Sequence, residues 1–289
     1  ARHDIHALLD NRHFVAANFV FSISLAAAWQ ISYGPYVADY SRYLPSQTSK
    51  LKIFLAASLG TVLGSQAAMT FGVFAAALAG SAFSGHEVEF VVGLGSTGVL
   101  AMILYLVVGF GKITMMTLNA YSSYMSSATI VSAFCGVSRV SLAHRFIYVL
   151  GMVSVAVLIA LAGSHSFISA FSSFLIFLLA FITPWSAISL ADVFFVNGTR
   201  YDLAALNDPA GRYGRWNWPV IATYCCGVLM ELPFISSGFY TGPIARALNY
   251  ADVSWVVGLL GTGMLYCLVS RRMAARVPPS LTPALDSKA

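Results

Sequence analysis

Residues 29–45 read Trp29-Gln30-Ile31-Ser32-Tyr33-Gly34-Pro35-Tyr36-Val37-Ala38-Asp39-Tyr40-Ser41-Arg42-Tyr43-Leu44-Pro45. The stretch closes an uncharged, mostly apolar run that begins at Phe14 and then opens into a segment carrying Asp39 and Arg42. About 20 apolar residues cross a hydrocarbon core about 30 Å thick as a helix, so 14–37 reads as a membrane span. Gly34-Pro35 lies inside it. Pro35 has no amide donor and Gly34 tolerates unusual backbone angles, so the helix is expected to be interrupted there. Broken helices at mid-membrane are a device by which transporters present backbone groups to solute and ion. Trp29 and Tyr33 are one turn apart and share a side, an arrangement that suits a flat ring. With Gln30 and Gly34 they form the candidate solute-binding set of this segment. The same spacing also describes an ordinary kinked helix carrying interfacial Trp and Tyr.

The surrounding sequence supports lipid as the solvent. Of the 289 residues, 58% are hydrophobic and 9% charged, against about 25% charged in a typical soluble domain. Besides 14–37, apolar runs are expected to span at about 51–80, 98–126, 144–163, 166–190, 217–238 and 252–270. The fold class is therefore an all-α integral membrane protein with about seven transmembrane helices. The runs are unbroken rather than alternating, which argues against a strand barrel. The second and third exceed a straight crossing and imply tilt or extension beyond the membrane. Gly163-Ser164-His165-Ser166 leaves only a very tight turn between the fourth and fifth. Residues 1–270 form the transmembrane domain, and 271–289 a polar, proline-containing tail.

Net charge is +5, but the Lys and Arg residues sit at helix ends rather than in one stripe, which argues against nucleic acid as a partner. Their alternation sets an orientation. Arg42, Lys50 and Lys52 follow the first span, Arg139 and Arg145 the third, Arg200, Arg212 and Arg215 the fifth, and Arg271, Arg272 and Arg276 begin the tail. Segments 81–97 and 163–166 carry no Lys or Arg, and Arg246 stands alone after the sixth span. The positive-inside rule then places the C-terminus in the cytoplasm and the N-terminus outside, in a plasma or inner membrane. Residues 1–13 contain no Met start and no signal-peptide core. The expectation is therefore the C-terminal part of a longer protein, with an odd number of helices upstream as partners of this chain.

The third span places Lys112, Thr114, Thr117 and Asn119 in an otherwise apolar helix. An intramembrane Lys costs at least about 2.5 kcal/mol on insertion scales and is expected to face a cavity or partner, or to snorkel to the interface. Asn119 can donate and accept together, as a purine or pyrimidine edge requires, or bond a neighbouring helix. Glu231 is the other ionisable group well inside a span and suits either proton carriage or structural pairing. Asp39 with Arg42, and Asp192, sit near helix ends as anchoring or gating groups. Cys135, Cys225, Cys226 and Cys267 lack metal-ligand spacing and read as small buried hydrophobes. No nucleophile-base set, phosphate loop or metal cluster is present in the sequence pattern, so an enzyme is not expected.

Tyr33-Gly-Pro-Tyr-Val-Ala-Asp-Tyr-Ser-Arg-Tyr-Leu-Pro45 resembles the segment after the sixth-helix break in purine-cytosine permeases of the nucleobase:cation symporter-1 family. The resemblance continues through Asn119-Ala-Tyr-Ser122, Pro184-Trp-Ser-Ala-Ile-Ser-Leu-Ala-Asp192, Tyr213-Gly-Arg-Trp-Asn-Trp218, Thr241-Gly-Pro243 and Ala251-Asp-Val-Ser-Trp255. It implies twelve helices on the leucine-transporter-type plan, two inverted five-helix repeats plus two extra helices, of which this chain supplies the sixth to the twelfth. It implies a nucleobase-like solute, such as cytosine or a purine, stacked on aromatics of the third and sixth helices. Polar groups of the eighth would hold it, with Tyr33 standing where some members have Trp and Asn119 as the base-reading asparagine. Transport would be symport by alternating access, with no cofactor beyond a coupling sodium ion or proton. Thr114 is the best-placed hydroxyl for sodium; Thr117 and Lys112 complete the ion-coupling set, and a cation at Lys112 could repel or replace sodium. Members often carry a second amide four or five residues before the asparagine, where this chain has Thr114 and Met115, so the hydrogen-bonding set departs from the family. A seven-helix receptor, and a same-fold transporter of amino acids or other amines, are the competing readings.

Overall fold

The computed structural model describes residues 14–45, 47–83, 85–95, 98–135, 141–162, 167–197, 214 and 216–274. Among them the chain is helical and contains no strand beyond an isolated bridge between Ser236 and Thr241. The turn at 163–166, the N-terminal 1–13, the loop arginines Arg139, Arg200, Arg212 and Arg215, and the tail from 275 lie outside the described residues.

Every expected span meets a helix. The first divides into α1 (Ala16–Ser32) and α2 (Gly34–Ser41). α3 follows (Lys50–Ala79, with a 3-10 turn at Gly80–Ala82), then α4 (Glu87–Gly95), α5 (Val99–Cys135) and α6 (Leu142–Ala162). The remainder is α7 (Phe167–Ala191, ending in a π turn at Asp192–Val196), α8 (Trp218–Glu231, with a 3-10 turn at Leu232–Phe234), α9 (Pro243–Ala247) and α10 (Ser254–Ala274). Among the described residues five segments are long and apolar enough to cross a membrane, 50–82, 99–135, 142–162, 169–196 and 254–272, while 218–234 is a shorter apolar helix. At 37 residues, α5 is about 55 Å long. It therefore outruns the hydrocarbon core, as its apolar length foretold.

Two details differ from the sequence expectation. Segment 81–97 is not a plain loop but holds α4. Its first turn carries Glu87 and Glu89, which suit the positive helix N-terminus. Gly85 N–H donates to Glu87 Oε1 at 2.9 Å, and this bond holds that carboxyl below the usual carboxylate range. The sixth span ends early, at Glu231 rather than 238. Pro233 supplies no N–H and its ring opposes the carbonyl four residues back, so the α-helix gives way to one 3-10 turn.

The chain divides into two compact units. One comprises 1–14 with 35–171, the other 15–34 with 172–289. The boundary thus falls between Gly34 and Pro35.

In the first unit α5 packs on α4 and α6, and Arg145 of α6 lies 4.3 Å above the Tyr124 ring of α5. The most apolar windows of α3, α5 and α6 are 6%, 0% and 0% buried. Surfaces of this kind are stable only against lipid or other apolar helices.

The second unit holds the core. Ile176 and Ala180 of α7 and Ile235 are buried together, with Phe21 and Leu25 of α1 packed against them. α8 runs antiparallel along α10: Gly227 meets Thr262, and one turn later Glu231 meets Gly258. A β-carbon at Gly227 would come within 2.3 Å of Thr262 Oγ1 and 3.0 Å of Pro184 in α7, so the absence of a side chain sets the helix separation. Cys225 and Cys226 on α8 are exposed, as is Cys135, and Cys267 is half-buried. The expectation of buried cysteines therefore fails, because in a membrane helix an apolar residue faces lipid as readily as core.

Asp252 ties this unit together. Its Oδ2 accepts the Ser236 N–H at 2.7 Å, and its Oδ1 accepts the Ser254 N–H at 3.0 Å and the Ser254 hydroxyl at 2.7 Å. Its main-chain carbonyl accepts the Ser24 hydroxyl of α1 at 2.7 Å, and Trp255 Nε1 donates to that same Ser24 oxygen at 3.2 Å. The chain enters this node through Asn249 and Tyr250, whose φ of 54° and 64° are left-handed and costly for side chains other than glycine. The Tyr250 N–H bond to Ala245 O, 2.8 Å, holds the turn. Asp252→Ala leaves two buried amide donors unpaired, each worth about 1–3 kcal/mol. The variant is expected to lose about 3 kcal/mol in denaturant unfolding of the purified protein in detergent, and an unchanged midpoint would show that the node carries no stability.

Candidate solute and coupling-ion residues

The solute candidates of the first span lie at the end of α1. Its inward face is Phe21, Ser24, Leu25 and Ala28, with Ser24 and Ala28 buried. Trp29 is exposed, Gln30 and Tyr33 are half-buried, and Gly34 is exposed. The interruption between α1 and α2 is one residue wide. Tyr33 keeps right-handed helical angles, φ −78° and ψ −15°, so Trp29 and Tyr33 retain their one-turn spacing.

The other candidates lie in the first unit, on the unbroken helix α5. At about 100° per residue, Lys112 and Asn119 share one stripe, and Thr114 and Thr117 share another on the opposite side. All four are exposed. The Thr114 hydroxyl donates to Phe110 O at 3.0 Å and the Thr117 hydroxyl to Ile113 O at 2.9 Å. Such back-bonding leaves each hydroxyl a lone pair for a cation. Among the described residues Lys112 has no ion pair and Asn119 no hydrogen bond. Helix geometry therefore pairs the amide with the ammonium, and the two hydroxyls with each other.

The motif after the kink is fastened to the motif beside Asn119. The Ser122 hydroxyl donates to Asp39 Oδ2 at 2.6 Å, Arg42 lies 3.7 Å from Asp39 Oδ1, and the Tyr43 and Tyr121 hydroxyls share a hydrogen bond. The sequence marked Asp39 and Arg42 as an anchoring pair but gave no partner for them. That partner is Ser122, which in the sequence stands out only as the end of Asn119-Ala-Tyr-Ser122. Asp192 is likewise an anchor, accepting from the Tyr266 hydroxyl of α10 and from Asn197 Nδ2 at 2.8 Å. A groove of about 510 Å³ between α7 and α10, lined by residues such as Leu190, Leu259, Met264 and Arg271, contains none of the solute or coupling-ion candidates. No group of three or more metal-ligating side chains occurs among the described residues.

Long apolar helices, one with a proline inside it, and polar side chains on otherwise apolar spans define a multi-pass helical membrane protein. The chain belongs to the family of permeases for cytosine/purines, uracil, thiamine and allantoin, whose profile matches residues 3–258. It is 33% identical over 258 residues to YxlA of Bacillus subtilis (strain 168), a purine-cytosine permease by name, covering 88% of this chain and 54% of the relative. To the purine-cytosine permease fcyB of Emericella nidulans it is 28% identical over 242 residues, covering 81% and 47%. The chain thus spans about half the length of these curated relatives. No solved structure gives a significant match. The relatives are named as transporters rather than enzymes or receptors.

A double-mutant cycle of Asp39→Asn and Ser122→Ala tests the joined motifs. Their destabilisations are expected to fall short of additivity by about 1 kcal/mol in detergent unfolding. Strict additivity would mean that the two side chains do not meet.

Proposed function

We propose that the protein is a secondary transporter that moves a nucleobase, such as cytosine or a purine, by alternating access, driven by a sodium or proton gradient. The observation that carries this reading is family membership over residues 3–258, joined to a polar stripe on an apolar membrane helix. Asn119 offers a donor and an acceptor to a base edge, while Trp29 and Tyr33, with Gln30 and Gly34 between and beside them, offer ring faces and a helix kink. Lys112 lies on the asparagine's stripe and contributes charge there. Thr114 and Thr117 form a separate hydroxyl pair to which we assign the coupling cation. Further helices of the leucine-transporter-type repeat complete the transporter, and the tail from residue 271 faces the cytoplasm.

In cells lacking their own nucleobase uptake, the full-length protein is expected to accumulate labelled cytosine or adenine. Asn119→Ala should reduce the initial rate at least about tenfold at equal surface abundance, the loss of one directional contact. Wild-type rates in the variant would remove Asn119 from the site. Accumulation of an amino acid or amine with no response to bases would replace the nucleobase reading. Sodium titration at fixed pH assigns the ion: a sodium-dependent rate weakened by Thr114→Ala supports the hydroxyl pair, and a rate indifferent to sodium makes the proton the driver.

A further inference from the structure

Glu231 is fully buried at the last turn of α8, and neither carboxyl oxygen has a hydrogen-bond partner or an ion pair among the described residues. Its Oε1 lies against Gly258 so closely that a β-carbon there would overlap it. Two further buried oxygens lack hydrogen-bond partners: Thr262 Oγ1, in the same seam one turn along α10 and set against Gly227, and Thr183 Oγ1 of α7, which precedes the Pro184 that touches Gly227. Glycines at 227 and 258 remove the side chains that would otherwise fill the space these groups occupy. Among the described residues the other acid acting on Glu231 is Asp252, whose carboxylate already accepts from Ser236 and Ser254; the titratable group near Glu231 on its own helix is Tyr224, whose hydroxyl donates to Phe181 O. An ionised carboxylate without a cation or donor is excluded from such a seam by the cost of desolvation, whereas the neutral acid fits it.

We propose that Glu231 is a membrane-embedded proton-binding site at the junction of α7, α8 and α10, occupied while the α8–α10 seam is closed and emptied when the seam opens to water. One proton binds to one carboxylate, and no other group changes. The site is distinct from the solute and hydroxyl-pair residues, and its test does not require transport.

Infrared spectra of the full-length protein in lipid nanodiscs at neutral pH, in sodium-free buffer, are expected to contain a protonated-carboxyl band that disappears in Glu231→Gln. Should E231Q not assemble, Glu231→Asp assigns the same band by shifting it. A second arm replaces the native cysteines and labels Thr262→Cys with a water-soluble thiol reagent. Relative to the E231Q background, labelling is expected to accelerate by about tenfold per pH unit once the carboxyl begins to ionise, one proton being released on opening. Absence of the band, which would mean an ionised Glu231 at neutral pH, or a labelling ratio flat with pH, overturns the proposal.

Discussion

The burial of Asp252 is the constraint on which the second unit rests. In hydrocarbon no water replaces a lost bond, so a carboxylate that binds the Ser236 and Ser254 amides fixes the irregular chain between α8 and α10 as firmly as a helix would. Through its main-chain carbonyl the same residue holds Ser24, and Trp255 clamps that serine from the other side. α1 is therefore fastened to α10 nine residues ahead of Tyr33. Beyond Tyr33 the chain passes into the other unit at Gly34 and Pro35, the pair least able to continue a regular hydrogen-bonded helix.

Much of this architecture was legible in the sequence because lipid imposes a simple code: length, apolarity and the placing of charge. Each of the seven runs became a helix, the excess length of 98–126 became an α5 that continues to Cys135, and Gly34-Pro35 marked the joint. What the code could not convey was direction. Cys225 and Cys226 look like core residues, yet face outward, since hydropathy does not separate a lipid-facing surface from a protein interior. Pro233 shortened α8 from within an apolar run, and α4 formed in a segment judged only by its lack of Lys and Arg. The links between separately noted motifs, Asp39 with Ser122 and Asp252 with Ser24, required the fold, because nothing in spacing alone pairs residues 83 or 228 positions apart.

The candidate residues themselves were chosen from the sequence one by one, and helical geometry sorts them. Lys112 and Thr114 are near neighbours in the chain but point to opposite sides of α5, while Lys112 and Asn119, seven residues apart, fall in line. The proposed ion-coupling hydroxyls and the proposed base-reading amide therefore lie on opposite sides of one helix, with the ammonium on the amide's side. Family membership places these stripes in a permease, and the chemistry of an amide that donates and accepts points to a heterocyclic edge.

The central claim is recognition of a nucleobase, and ligand-dependent thermal stability of the purified full-length protein tests it most directly. Saturating cytosine, adenine or hypoxanthine should raise the unfolding temperature, since a ligand at 100 times its dissociation constant adds about 2.7 kcal/mol to the folded state. Amino acids and simple amines should leave it unchanged. Stabilisation by amines or amino acids with none by any base would contradict the account.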